Sequence, residues 1–183
     1  MDDRILEHLA KNHTCADFER TVALLRAANI AFAPTFVAFT PWTTLEGYLA
    51  LLESLVRLDL IENVPPVQLT IRLLVPAGSE LLKLSGFRDL LQPFDSKMLG
   101  YPWRHAEPRV DRLQQALQDF VARADTQALP RRAVFAAIWR MAHAVLGQTA
   151  PPPAISGANR AIPRLSEPWY CCAEPTHQQL AVF

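Results

Sequence analysis

Two adjacent cysteines, Cys171 and Cys172, lie in the stretch WYCCAEPT near the end of the 183-residue chain. A thiolate can donate an electron or a hydrogen atom, and neighbouring thiols can close a strained, easily reduced disulfide. The pair is therefore a candidate catalytic element for redox or radical chemistry. The alternative is a doublet without function. His177 could add a third metal ligand, but three ligands do not complete a structural zinc site, so no metal site is predicted.

A second group of candidates comes from the alternating segment VQLTIRLLV at residues 67–75. Apolar side chains at every second position predict a strand with one buried face, which leaves Gln68, Thr70 and Arg72 on the other face. These side chains could hold the carboxylate of a cofactor or substrate. Alternatively, Arg72 pairs with a structural acid, because a buried guanidinium needs an anionic partner.

Composition limits the classes of partner. Half of the residues are apolar, and 18 basic residues balance 18 acidic ones, so no overall field attracts nucleic acid or an anionic membrane. The N-terminus MDDRILEHL is acidic, unlike a signal peptide, and three cysteines do not form a disulfide framework. We therefore predict a cytoplasmic protein with reduced thiols and with neither nucleic-acid nor membrane partners.

Five helices are predicted from capping residues and apolar spacing. The second is predicted to begin with a capping box of Thr14 and Asp17 and to end at Asn29, and the third to begin with a capping box of Thr43 and Glu46. The predicted ranges are 2–12, 15–28, a helix after TPWT, 108–123 and 130–147.

Two strands are predicted between these helices, at residues 32–39 and 67–75. The order helix, strand, helix, strand is typical of a parallel sheet in an α/β fold. Two strands do not make a stable parallel sheet, so the expected fold is a partial barrel of the TIM type, the last portion of something larger.

The tail RLSEPWYCCAEPT resembles the terminal signature of the CUAEP/CCAEP-tail radical S-adenosylmethionine proteins. In that pattern Cys172 holds the selenocysteine position. The upstream KNHT run and FVAFTPWTTLE are similar to the later strands of a radical S-adenosylmethionine barrel, whose strand-turn-helix pattern is G-x-P-G-E-T. Pro41 and Thr44 match this pattern, whereas Phe39, Trp42 and Thr43 depart from it.

The resemblance implies S-adenosylmethionine and a four-iron cluster as cofactors of the intact protein, with Thr40, Gln68, Thr70 and Arg72 as candidate cofactor-binding residues. The cluster requires a C-x3-C-x2-C motif, and the chain has only Cys15, Cys171 and Cys172. The expectation is thus the C-terminal portion of a radical enzyme, inactive alone and completed by an N-terminal barrel half. The substrate, a small molecule or a peptide, is not indicated.

Three segments are expected: residues 1–92 as the later part of the barrel, 93–148 as a helical extension, and 149–183 as a Pro-rich linker with the CCAEP tail. A rival interpretation is a stand-alone module in which vicinal thiols meet a redox partner or a soft metal. A third is a remnant that makes no stable protein. Whether the chain folds by itself distinguishes the barrel fragment from the stand-alone module, because a barrel fragment should expose unpaired strand edges.

Overall fold

The computed structural model describes residues 1–154, and they are built mainly from five α-helices. The helices are α1 (Asp3–His8), α2 (Cys15–Ala27), α3 (Leu45–Arg57), α4 (Pro108–Thr126) and α5 (Arg131–Val145). Three short 3-10 helices, Pro66–Leu69, Glu80–Lys83 and Arg88–Leu90, interrupt the connection between α3 and α4. The five helices predicted from the sequence are all present, with ends shifted by a few residues.

The helix ends follow local side-chain chemistry. At the start of α2 the Thr14 hydroxyl accepts from the backbone N–H of Asp17, and the Asp17 carboxylate accepts from that of Thr14. This confirms the predicted capping box. Asn29, just beyond α2, has a φ of 54°, the left-handed conformation predicted for a helix stop. The predicted box at α3 is wrong: Thr44 is the cap, and its hydroxyl accepts from the N–H of Gly47.

The main hydrophobic core is formed where α3 packs against α5 and α5 against α4. One face of α3 is wholly inside it, and Leu52 has no exposed surface. The buried residues of α3 are Leu45, Tyr48, Leu49, Leu51, Leu52 and Leu55. Because α4 and α5 share this core with α3, the helices after residue 107 are part of the same packed unit as the helix before residue 58.

The predicted parallel sheet is absent from residues 1–154, so the α/β fold with a partial TIM-type barrel is wrong. The two predicted strand segments, 32–39 and 67–75, share backbone pairing only at an isolated parallel bridge between Phe39 and Arg72. There the Phe39 N–H donates to the Ile71 carbonyl at 2.9 Å, and the Leu73 N–H donates to the Phe39 carbonyl at 2.9 Å.

Proline explains part of this difference. Pro66 has no N–H and a fixed φ, so the segment PVQL winds into a 3-10 helix and not into a strand. Gln68, Leu69, Thr70 and Ile71 are consecutively buried, at 1%, 2%, 4% and 6% exposure. The alternation of apolar and polar residues therefore does not indicate one buried and one exposed face, because residues of both kinds are buried here.

A second, smaller hydrophobic cluster forms within the irregular stretch from residue 70 to residue 104. Its buried members are Leu73, Val75, Phe87 and Trp103. The Trp103 indole N–H donates to the Leu73 carbonyl at 2.8 Å, which satisfies the polar atom of a ring that is 3% exposed. This cluster fixes the chain that follows the bridge at Arg72.

Candidate functional site

The candidate site is a cleft of about 390 Å³ bordered by α1, the start of α2, the extended residues 35–38 and the first turns of α3. Its volume falls within the range of roughly 300–1,000 Å³ that small-molecule pockets occupy. Most of its wall is apolar. Representative wall residues are Ile5, Leu6, Phe18, Phe36, Leu51 and Ile71.

A stacked pair of rings holds α1 beside the turn that precedes α3. The imidazole of His8 lies on the indole of Trp42 with ring centroids 4.5 Å apart and an interplanar angle of 17°. None of the six residues of α1 is buried, so this contact and the half-buried Ile5 and Leu6 position the helix. The N-terminal wall of the cleft is consequently held by few contacts.

The polar side chains that line the cleft are those of Asp2, Lys11, His13, Cys15, Thr35, Thr43, Thr44 and Gln68. Gln68 is 1% exposed, and its Oε1 accepts from the backbone N–H of Phe36 at 2.9 Å. This bond ties the 3-10 helix to the extended segment and fixes the amide at the cleft wall. Lys11 and His13 are exposed at the rim. The arrangement is an apolar chamber with a few oriented polar groups, as in ligand pockets generally.

Cys15 is a half-buried free thiol in the wall of this cleft. Its backbone N–H donates to the Asp3 carboxylate at 2.7 Å, which joins α1 to the first residue of α2. Burial, and next the hydrogen bond to Asp3, raise the pKa of the Cys15 thiol to about 11. At neutral pH it is therefore a protonated thiol and a poor nucleophile.

Of the four candidate cofactor-binding residues, only Gln68 lines the cleft. Thr40 is fully buried, and its hydroxyl lies 2.9 Å from that of Thr43 in a local network that shapes the turn. The Thr70 hydroxyl donates to the Val67 carbonyl at 2.9 Å. Thr40 and Thr70 therefore use their hydroxyls in turns of their own backbone.

Arg72 is the bridge partner of Phe39, and its side chain forms an ion pair. Its Nη1 is 2.7 Å from Oδ1 of Asp111 on α4, and the two side chains are 13% and 30% exposed. The guanidinium carbon lies 3.5 Å from the centroid of the Trp103 ring, a close cation–π contact. Arg72 thus joins the stretch after the bridge to α4, which is the structural pairing named as the alternative to a cofactor role.

Cys171 and Cys172 lie outside the described residues, as do His177 and the rest of the CCAEP tail. Within residues 1–154 no group of three or more His, Cys, Asp or Glu side chains is arranged to hold a metal ion. Cys15 stands alone there, so this part of the chain does not fit an iron-sulfur cluster, and no chemical step is assigned to one.

Lys11, His13 and Cys15 were not predicted as site residues, because KNHT was used only for the family resemblance and Cys15 lacks the spacing of a cluster motif. A usable signal was present in α1, where Ile5, Leu6 and Leu9 form an apolar face before any strand on which it could pack. An apolar helix face without a partner in the adjacent sequence often covers a groove.

No family model, no curated protein and no solved structure matches the chain. In the described part of the chain, none of the helices has the length and apolar character needed to cross a membrane.

Proposed function

We propose that this chain is the C-terminal portion of a radical S-adenosylmethionine enzyme, and that the cleft is its contribution to the reaction chamber. One observation carries the proposal. The two upstream stretches that resemble the family, KNHT and FVAFTPWTTLE, are separated by 21 residues in sequence, yet both border the same cleft. Lys11 and His13 come from the first stretch, and Phe36, Thr43 and Thr44 from the second.

The character of the cleft suits this role. A chamber that shields a reactive intermediate must exclude water, and an apolar wall does so. The protein's work in such chemistry is positioning and shielding. Gln68 offers an oriented amide at the wall, held by the N–H of Phe36. The thiols of Cys171 and Cys172 would supply the redox or hydrogen-donating group.

The cluster must come from elsewhere, because the three cysteines of the chain do not form C-x3-C-x2-C. We propose that a separate cytoplasmic segment carries this motif and is the partner of this chain. The first test is to sequence the DNA upstream of the Met1 codon and to translate it in all frames. A segment encoding C-x3-C-x2-C would support the proposal, whereas an unrelated upstream sequence would count against it.

The second test is biochemical. The cluster-bearing segment, once found, is co-expressed with this chain, and cleavage of S-adenosylmethionine to 5′-deoxyadenosine is measured anaerobically. We expect cleavage only with both parts present. The control is the Cys171→Ser, Cys172→Ser double variant, which should still co-purify with the segment. Cleavage by this chain alone, after reconstitution with iron and sulfide, would refute the proposal.

A second candidate function is the stand-alone vicinal-thiol module. The observation in its favour is that residues 1–154 close a core of their own among α3, α4 and α5 without unpaired strands. Such a module would reduce a small disulfide by itself. The test is stoichiometric: the reduced chain should convert one oxidised glutathione to two reduced glutathiones while Cys171 and Cys172 close a disulfide, and Cys172→Ser, which cannot close it, is the inactive control. Activity that persists in that variant would exclude the tail pair as its source.

A further inference from the structure

The cleft is an exposed apolar surface with a thiol in its wall, and the chain holds two more thiols in its final stretch. We propose that the cleft docks the chain's own segment Trp169–Cys172, which brings Cys171 and Cys172 next to Cys15. The proposal goes beyond the function proposed above, because it depends on the shape and composition of the cleft and not on radical chemistry.

The chemistry of the segment matches that of the cleft. Trp169 and Tyr170 are large apolar rings with one polar atom each, and side chains of this kind fill apolar clefts that carry a few hydrogen-bonding groups. Glu167 and Glu174 flank the four residues on either side. Lys11 lies at the exposed rim of the cleft and could pair with either carboxylate. An apolar centre with acidic flanks therefore faces an apolar floor with Lys11 at its rim, and the Asp2 carboxylate that also lines the cleft is paired with Arg4 at 3.1 Å.

The length of chain between α5 and the segment does not restrict docking. Residues 146–168 are rich in proline, and at about 3.1 Å per residue they can span roughly 70 Å. A compact unit of 154 residues has a radius of gyration of about 15 Å, so any point on its surface lies within reach. Tethering also gives the segment an effective concentration of the order of millimolar, which makes a weak site sufficient.

Cys15 is the native reporter for this docking. In the Cys172→Ser variant, Cys171 is converted to a mixed disulfide with thionitrobenzoate, and the Cys15 thiolate can then attack the Cys171 sulfur. One disulfide bond breaks, one forms between Cys15 and Cys171, and one thionitrobenzoate anion leaves for each cross-link. The released anion is followed by absorbance, and the linked tryptic peptides, residues 12–20 and 165–183, are identified by mass spectrometry.

The matched control separates docking from random collision. Ala116 is exposed on α4 and does not border the cleft, so Cys15→Ser combined with Ala116→Cys moves the target thiol to open surface. A loose tail would react faster with the exposed thiol at position 116 than with the half-buried, poorly ionised Cys15. We expect the opposite order, with Cys15 reacting at least about tenfold faster, because docking holds the two sulfurs together.

Two substitutions test the surfaces themselves. Leu6→Asp places a charge in the cleft wall, whereas Leu24→Asp makes the same change at a side chain that is 63% exposed on α2 and does not border the cleft. Leu6→Asp should slow cross-linking by about tenfold, and Leu24→Asp should leave it unchanged. Leu6→Asp could also slow cross-linking by loosening α1. Trp169→Asp changes the proposed occupant and leaves the cleft wall intact, so slower cross-linking in that variant reports the docking contact itself.

Three results would overturn the proposal. The first is a cross-link whose rate rises with protein concentration, since that would place a second copy in the cleft. The second is a faster reaction at position 116 than at Cys15. The third is a rate that Trp169→Asp does not change. These results decide only whether Cys171 and Cys172 reach the cleft. Cleavage of S-adenosylmethionine with the cluster-bearing segment is measured independently, so the two proposals fail separately.

Discussion

The ion pair between Arg72 and Asp111 is the best-defined electrostatic contact between the irregular stretch and α4. The Asp111 carboxylate also accepts from the backbone N–H of His105 at 3.0 Å, so one side chain anchors two segments. We predict that Asp111→Asn lowers the free energy of unfolding by about 1–3 kcal/mol, because it weakens a charge-assisted hydrogen bond to a mostly buried guanidinium. Urea unfolding followed by circular dichroism measures it.

The control for this prediction is Glu19→Gln at the exposed pair of Glu19 and Arg57, whose side chains are 38% and 55% exposed. Solvent screens that pair, so the urea midpoint should not change measurably. Equal effects of the two substitutions would show that the burial of Arg72 contributes nothing to the strength of its pairing.

The reactivity of the Cys15 thiol follows from its immediate surroundings. With a pKa of about 11, Cys15 should be alkylated by iodoacetamide roughly a hundredfold more slowly at pH 8 than a free cysteine with a pKa near 8.5. The rate should rise with pH up to about 11. The measurement is a pH–rate profile on the Cys171→Ser, Cys172→Ser variant, with N-acetylcysteine as the reference.

Asp3→Asn provides the internal check on the cause. Removal of the carboxylate removes one of the two largest contributions that disfavour the thiolate, so the pKa should fall and alkylation at pH 8 should speed up. A pH–rate profile centred near 8.5 in the Cys171→Ser, Cys172→Ser variant with Asp3 retained would contradict the burial of the Cys15 thiol in the cleft wall.

Among the elements, α2 and α3 have similar lengths but very different anchoring. Val22 is the buried residue of α2, whereas α3 buries six side chains. Loss of the Thr14 cap should therefore open α2 locally. We predict that Thr14→Ala lowers amide hydrogen-exchange protection within α2 by about fivefold, which corresponds to a cap of about 1 kcal/mol, without changing global stability.

Thr44→Ala is the matched change at the cap of α3, where the Thr44 hydroxyl accepts from the N–H of Gly47 at 2.9 Å. Because α3 is part of the main core, loss of its cap should lower the free energy of global unfolding. If Thr14→Ala lowered protection throughout the described part of the chain, α2 would be coupled to the core more tightly than one buried valine indicates.

At the scale of the whole molecule, the core between α3, α4 and α5 determines whether the chain is self-sufficient. Leu52 is fully buried in this core, so Leu52→Ala should lower the free energy of unfolding by about 2–5 kcal/mol. Leu24→Ala, at a side chain 63% exposed, should have almost no effect. Cooperative thermal unfolding of the purified chain is the measurement, and a gradual transition insensitive to Leu52→Ala would favour a chain that requires its partner to fold.

The sequence alone was sufficient for the helices, for the capping box of α2 and for the left-handed stop at Asn29. These features depend on residues within a few positions of one another: an apolar stripe at helical spacing, a Thr–Asp pair three residues apart, and a residue that tolerates a positive φ. Local hydrogen bonds and propensities determine them, so they can be derived before the fold is known.

The sheet and the site could not be derived in this way. Residues 67–75 alternate as a strand does, but Pro66 and burial on all sides make the start of that segment a 3-10 helix, and the backbone pairs with residues 32–39 only at the later bridge between Phe39 and Arg72. Likewise, the sequence predicted that Gln68 and Arg72 share a face, whereas Gln68 lines the cleft and Arg72 pairs with Asp111. Only the tertiary structure decides such partners, because they lie more than 30 residues apart and are selected by packing.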